Sequence, residues 1–153
     1  MKTIIVVTLT AAVSLIVPVS KSQAQIGWTL EQCAKAYDQA GTITTDPANG
    51  ENFYVFNVTI TDPSVKGDWS IRCWFNTNRL CDVTRYEKLD SDLTAEDLDA
   101  ILQINSCGYT WDMNSVQKLD ADSAYILTTD PKQGPYAFFG FGGRKILISA
   151  HKR

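Results

Sequence analysis

The residues best suited to chemistry in this 153-residue chain are its four cysteines, Cys33, Cys73, Cys81 and Cys107. Cysteine can form disulfides, ligate metals or act as a nucleophile. A zinc site needs several histidines or free cysteines at short spacing, and neither is present once the cysteines are oxidised. We therefore expect no metal site, and we predict disulfides if the chain enters an oxidising compartment.

The first 24 residues predict export to such a compartment. Lys2 precedes an apolar run at residues 4–19, and small residues occupy the positions before Gln25 that a signal peptidase reads. The run is too short for a membrane-spanning helix of about 20 residues and is interrupted by Pro18. We predict a signal peptide at residues 1–24, a periplasmic or secreted location, and no stable membrane insertion after cleavage.

No group of residues predicts a catalytic site or a cofactor site. His151 is the only histidine and lies near the C terminus, whereas a catalytic histidine must be held rigidly by a partner. The acidic residues between Asp90 and Asp99 lack the glycine and terminal glutamate of a calcium-binding loop. Paired carboxylates of a small secreted hydrolase are the alternative that the sequence leaves open, although their convergence cannot be read from it.

The charge of the chain argues against nucleic acid as a partner. The net charge is −3, and loss of Lys2 and Lys21 with the signal peptide changes it to −5. Binding to a phosphate backbone relies on a surface rich in lysine and arginine. We therefore expect no nucleic acid and consider an envelope or secreted protein as the partner.

Two helices are predicted. Thr29 and Gln32 form a capping-box pattern, and an apolar face with a period of about 3.6 residues follows and includes Cys33. Thr94 precedes acidic residues and a second apolar stripe, as at another helix start. The segment 41–52 has turn chemistry and is predicted to be a loop.

The remaining apolar segments predict strands. Residues 53–60, 69–75 and 80–86 predict a meander, and residues 109–112 a short extended piece. Residues 124–128 predict a further strand, and residues 136–141 and 145–150 a hairpin. The expected fold class is α+β, a single domain at residues 25–153 with an antiparallel sheet and helices packed on one face. Similar apolar patterns in the two hairpins also suggest a duplicated unit of one helix and a meander.

These elements place three cysteines on buried faces. We favour bridges between Cys33 and Cys73 and between Cys81 and Cys107, each joining a helix to a strand. A bridge between Cys73 and Cys81 across their hairpin is the main alternative, and buried unpaired cysteines are another.

Arg72, Trp74 and Tyr86 are the predicted partner-binding residues. Strand alternation puts Arg72 and Trp74 on the face opposite Cys73, and Tyr86 on the matching face of the next strand. An exposed aromatic residue beside an arginine is typical of binding hot spots. The alternative is that another part of the chain covers this patch.

Several motifs resemble those of uncharacterised small secreted bacterial proteins: residues 27–33 (GWTLEQC), 93–97 (LTAED), 101–105 (ILQIN), Trp111 and residues 146–148 (ILI). More distantly, the glycine and threonine before a helix and a meander resemble the BamE/OmlA-like module, whose duplicated form occurs in β-lactamase-inhibitory proteins. The resemblance implies protein binding or envelope assembly and not catalysis. Together with the residues, it favours a non-enzymatic binding module, with the hydrolase as the alternative.

Overall fold

The computed structural model describes residues 26–119, 123–130, 132–140 and 143–150. Two helices and eight strands follow in chain order: α1 Leu30–Tyr37, β1 Thr42–Thr45, β2 Asn52–Ile60, β3 Gly67–Phe75, β4 Cys81–Lys88, α2 Ala95–Ile104, β5 Trp111–Lys118, β6 Ser123–Thr128, β7 Tyr136–Gly140 and β8 Lys145–Ser149. The predicted signal peptide and His151 lie outside the described residues. In the described part of the chain, no helix is long and apolar enough to cross a membrane.

Both helices begin at the predicted N-cap residues, Thr29 and Thr94. The Thr29 side chain accepts a hydrogen bond from the Gln32 backbone N–H, and the Gln32 side chain accepts one from the Thr29 N–H. Thr94 and Asp97 make the same reciprocal pair at the start of α2. These bonds satisfy backbone donors that have no partner inside the helix, so local sequence fixes both helix starts.

All eight strands belong to one antiparallel sheet with the order β1-β2-β3-β4-β8-β7-β6-β5. Each half of the chain consists of one helix followed by a four-stranded meander. The halves join where β4 pairs with β8, in a register that places Val83 opposite Ser149 and Tyr86 opposite Ile146. The two hairpins with similar sequence patterns, β3–β4 and β7–β8, therefore hold equivalent positions in the two meanders.

The predicted α+β class is wrong, because the fold is β-rich. The helices have eight and ten residues, whereas one sheet of eight strands forms most of the molecule. Two strands were missed: β1 lies in the segment predicted to be a loop, and β5 extends well beyond the short extended piece expected near Trp111. Both are polar, largely exposed edge strands, so they lack the apolar alternation that identifies a strand.

The core lies on one face of the sheet, which we call the helix face. Its side chains include two rows that cross the sheet from β2 to β6: Phe56, Ile71, Tyr86, Ile146, Phe139 and Ala124, and Tyr54, Cys73, Thr84, Ile148, Ala137 and Ile126. Residues of both helices, including Cys33 and Leu102, belong to the same apolar cluster. Burial of this cluster removes apolar surface from water and is the main stabilising contribution to the fold.

Polar contacts attach α2 to the sheet. Lys88 Nζ lies 2.6 Å from Asp97 Oδ2, and both side chains are buried. At the other end of the helix, Asn105 Nδ2 donates to the Tyr86 hydroxyl at 3.0 Å, and Trp111 Nε1 donates to the Leu102 carbonyl at 2.6 Å. Because unpaired buried polar groups are costly, these contacts hold α2 in one position.

Candidate functional site

The two helices of the described residues both pack on the helix face, and we call the second face of the sheet the open face. One row of side chains on it comprises Val55, Arg72, Arg85, Leu147, Phe138 and Tyr125, each opposite the next on the neighbouring strand. A second row comprises Trp74, Val83, Ser149, Tyr136 and Leu127. Val83 and Ser149 are buried within this face, whereas the other members of the two rows are at least partly exposed. Solvated sheet faces are usually polar, so the partly exposed apolar side chains make this face a candidate for binding.

A β-bulge decides which side chains reach the open face. Trp74 is opposite Val83, but Phe75 is opposite Cys81, so β4 contains one extra residue, Asp82, at this point. The extra residue reverses the alternation of side chains between Cys81 and Val83. Cys81 therefore lies on the helix face, whereas Val83, Arg85 and Glu87 lie on the open face.

The predicted placement of Tyr86 beside Trp74 is wrong for this reason. Tyr86 lies opposite Ile71 on the helix face, is 3% exposed and bonds to Asn105. Burial raises the pKa of Tyr86 well above its usual value. Its role is in the core, and the open-face position of β4 that neighbours Arg72 is taken by Arg85.

Arg72 and Trp74 lie on the open face as predicted. The Trp74 ring packs against Phe53 with ring centroids 4.9 Å apart, and the Arg72 guanidinium carbon lies 5.6 Å from the Phe53 ring centre. Phe53 is buried beneath them, whereas Arg72 and Trp74 are partly exposed. The three side chains form a rigid aromatic and cationic cluster on the two central strands of the first meander.

On the Arg72 side of this cluster, three cations share one carboxylate. Arg72 and Arg85 are direct cross-strand neighbours, an arrangement in which like charges repel. Glu87 is shared by Arg72 at 3.5 Å, Arg85 at 4.0 Å and Lys145 at 3.2 Å. One carboxylate therefore forms ion pairs with three cationic side chains. The buried Nε of Arg72 has no hydrogen-bond partner among the described residues.

A groove of about 420 Å³ continues from this cluster onto the second meander. Its lining includes Arg85, Arg144 and Lys145 together with Phe138 and Leu147. Phe138 is 40% exposed, which is high for an aromatic side chain in a strand. Among the described lining residues none is acidic, so the groove can accept carboxylates and apolar groups together.

A smaller depression of about 160 Å³ lies on the other side of Leu147. Trp74 and Val83 line it from the sheet, and Asp46 and Glu51 line it from the loop between β1 and β2. The open face thus has a basic groove and an acidic depression on either side of one leucine. Such a charge pattern would fix the orientation of a bound partner.

Five further residues of this surface were not predicted from the sequence: Phe53, Arg85, Phe138, Lys145 and Leu147. The available signal was in β7, where Phe138 and Phe139 are adjacent and must point to opposite faces. Only one of them can belong to the helix-face core, so the other must lie on the opposite face of the sheet and make that face partly apolar. The face on which Arg85 lies could not be predicted from strand alternation, because it depends on the bulge at Asp82.

Asp62 and Asp90 are not suited to act as general acids. Two described carboxyl groups have shifted pKa values, Asp62 and Asp90, and both are lowered. For Asp62 the causes are hydrogen bonds from the side chain and backbone of Ser64. A general acid needs a raised pKa, as burial or a neighbouring carboxylate provides.

The cysteines are thiols in the structure, and three of them meet in the core. Cys33, Cys73 and Cys81 are buried, and Cys107 is exposed. The thiol of Cys73 lies within hydrogen-bond reach of both Cys33 and Cys81. The disulfides predicted from the sequence stay a prediction. No cluster of potential metal ligands occurs in the described residues.

Comparison with protein-family models, with curated proteins and with solved structures found no match.

Proposed function

We propose that this chain is an exported, non-enzymatic binding module that holds a partner protein on the open face of its sheet. Arg72, Trp74, Arg85 and Phe138 would make the central contacts. The partner would present a surface or extended segment that combines carboxylates with apolar side chains. The resemblance of the sequence to the BamE/OmlA-like module, with its protein-binding members, supports the same function.

The cluster of cations in and beside the basic groove carries this proposal. Among the described residues, the ion pairs of this groove join four cations to two carboxylates, Glu87 and Asp92; the cations are Arg72, Arg85, Arg144 and Lys145. The chain as a whole is acidic, so this local positive charge is not a consequence of composition. Two arginines placed directly opposite each other destabilise the free sheet and would be stabilised by additional carboxylates from a partner.

The apolar part of the surface supplies the second requirement for binding. The Trp74 ring packs against Phe53, which holds it before a partner binds, and Phe138 lines the basic groove with its side chain exposed. Aromatic residues and arginines in such positions dominate the free energy of protein interfaces. Preordered side chains also lose little conformational entropy on binding.

A pair of labelled peptides tests the proposal in solution. One peptide alternates glutamate with phenylalanine or leucine, and the matched peptide has glutamine at every glutamate position. Fluorescence anisotropy should show that the folded protein binds the acidic peptide at least about tenfold more tightly. Raising the salt concentration should weaken binding of the acidic peptide because exposed ionic contacts are screened.

Two variants localise that binding to the open face. Arg85→Gln should reduce the affinity for the acidic peptide. Met113→Ala should leave that affinity unchanged, because Met113 is an exposed apolar residue of β5 that does not line the groove. Equal affinity for both peptides, or equal effects of the two variants, would count against the proposed surface.

A further inference from the structure

Two cavities with linings of opposite charge share one wall on the open face. The basic groove of about 420 Å³ and the acidic depression of about 160 Å³ are both lined by Leu147. Val83 lines the depression and Arg85 lines the groove. These two residues lie on the same face of β4, about 6.6 Å apart along the strand. A single bound segment can therefore contact both cavities.

The depression has the composition of a site for an organic cation. The Trp74 side chain and two carboxylates, those of Asp46 and Glu51, line it. An ammonium or guanidinium group is stabilised both by an aromatic ring and by nearby carboxylates. Val83 and Leu147 add apolar walls, against which the methylene stem of a lysine or arginine can pack. These walls distinguish the depression from a simple pair of surface carboxylates.

The Asp46 carboxylate is held in place before a partner binds. Its Oδ1 accepts a hydrogen bond from the Ala48 N–H at 2.9 Å. The Asp46 backbone N–H donates to the Glu51 carbonyl, and the Asp46 carbonyl accepts from the Gly50 N–H, both at 2.8 Å. None of the ion pairs between described residues involves Asp46. A cation from a partner would therefore meet a preorganised carboxylate, which lowers the entropic cost of binding.

We propose that the partner presents one extended segment in which a lysine or arginine, an apolar residue and a carboxylate point to the same side, in this order along the segment in either chain direction. The cation enters the depression beside Trp74, the apolar side chain contacts Leu147, and the carboxylate pairs with Arg85. This inference rests on the proposed function and adds to it a cationic residue and the position of that residue.

The geometry of an extended chain gives the spacing of the three residues. Successive side chains of a strand point to opposite sides, so the three residues occupy positions i, i+2 and i+4. They are then about 6.6 Å apart, the same spacing as between Val83 and Arg85 or between Leu147 and Lys145 on the open face. A lysine moved by one position would point away from the depression.

The opposite charges of the two cavities also disfavour partners of uniform charge. A segment with carboxylates along its whole length would place one of them beside Asp46, and a uniformly basic segment would place a cation beside Arg85. Like charges in contact lower affinity, so the pattern selects a segment that carries both signs.

Three labelled peptides of equal length test the inference. The first has lysine, leucine and glutamate at positions i, i+2 and i+4, separated by serine and threonine. The second has glutamine in place of the lysine. The third keeps every residue but exchanges the lysine with the neighbouring spacer at i+1. Fluorescence anisotropy should show that the wild-type protein binds the first peptide at least about fivefold more tightly than either of the others.

Asp46→Asn locates the cation in the depression. The amide oxygen of asparagine can still accept the Ala48 N–H, so the loop is preserved while the charge is lost. This variant should lose most of the preference for lysine over glutamine. Asp62→Asn is the matched control, because Asp62 accepts the Ser64 N–H at the same distance of 2.9 Å and lines neither cavity. The control should keep the wild-type preference.

Failure of this inference can be distinguished from failure of the proposed function. Equal affinity of the wild-type protein for the lysine and glutamine peptides, with Arg85→Gln weakening both, would refute the cation site and leave the proposed surface in place. Retention of the lysine preference in Asp46→Asn would also refute the cation site. If Arg85→Gln changes no affinity, or if no peptide binds with a dissociation constant below about 1 mM, both proposals are contradicted. If Asp46→Asn does not fold, the comparison of the three peptides on the wild-type protein still decides.

Discussion

Trp69 and Trp74 belong to the same strand and lie on opposite faces of the sheet. Trp69 is 1% exposed, donates its indole N–H to the Val65 carbonyl at 2.9 Å and has Lys88 Nζ 5.3 Å from its ring centre. Trp74 is partly exposed and packs on Phe53. One tryptophan therefore stabilises the core, and the other is available to a partner.

This difference predicts unequal effects of truncation on the free energy of unfolding. Trp69→Ala should cost about 3–5 kcal/mol because it leaves a cavity and unpaired groups. Trp74→Ala should cost about 1–2 kcal/mol, through loss of the contact with Phe53. Denaturant titration of both variants measures the two values. Equal losses would place Trp74 in the core and remove it from the proposed surface.

At the scale of single elements, much of the fold follows from local sequence. The N-cap signals at Thr29 and Thr94 predicted the helix starts, and apolar patterns predicted β2, β3, β4, β6, β7 and β8 close to their observed bounds. The edge strands β1 and β5 were not predictable from apolar pattern, because pairing with a neighbour and not burial holds them. The bulge at Asp82 could not be predicted either, since an extra residue in one strand is identified only from its pairing with the neighbouring strand.

The attachment of α2 to the sheet depends on the buried pair of Lys88 and Asp97. Asp97→Ala should lower the free energy of unfolding by about 3–5 kcal/mol, because the Lys88 ammonium would stay buried without a counterion. Asp92→Ala is the matched control, since Asp92 and Arg144 form an ion pair whose side chains are more than half exposed. The control should change stability by less than about 1 kcal/mol. Similar thermal unfolding curves for the two variants would contradict the structural role of the buried pair.

The connection from α1 to β1 depends on glycine at position 41. Gly41 has φ +76°, and a Cβ added there would lie 2.7 Å from a ring carbon of the buried Phe56. Gly50 has a similar φ of +74° but no atom within 4 Å of an added Cβ. Gly50→Ala should therefore cost about 1–2 kcal/mol from backbone strain alone.

Gly41→Ala should cost about 1–3 kcal/mol more than Gly50→Ala, because Phe56 or the backbone must also move. Calorimetry on the two variants separates the steric contribution from the strain that they share. Equal stabilities of the two variants would show that β1 can move away from Phe56 without a loss of folding free energy.

At the scale of the whole molecule, the sheet has one face filled by helices and core side chains and a second face that is aromatic and cationic. The first face accounts for the stability of the chain. The second has no structural need for two opposed arginines or for an exposed Phe138 beside a basic groove. A partner that brings carboxylates and apolar surface would satisfy both features, which is the central claim about function.

Affinity capture with matched baits tests that claim most directly. Immobilised wild-type protein, Arg85→Gln with Phe138→Ala, and the control Met113→Ala are exposed in parallel to the envelope fraction of the source organism, and captured proteins are quantified by mass spectrometry. The account predicts a partner that wild type and Met113→Ala retain equally, that the open-face variant loses by about tenfold or more, and that salt elutes. A partner retained equally by all three baits would contradict binding through the open face.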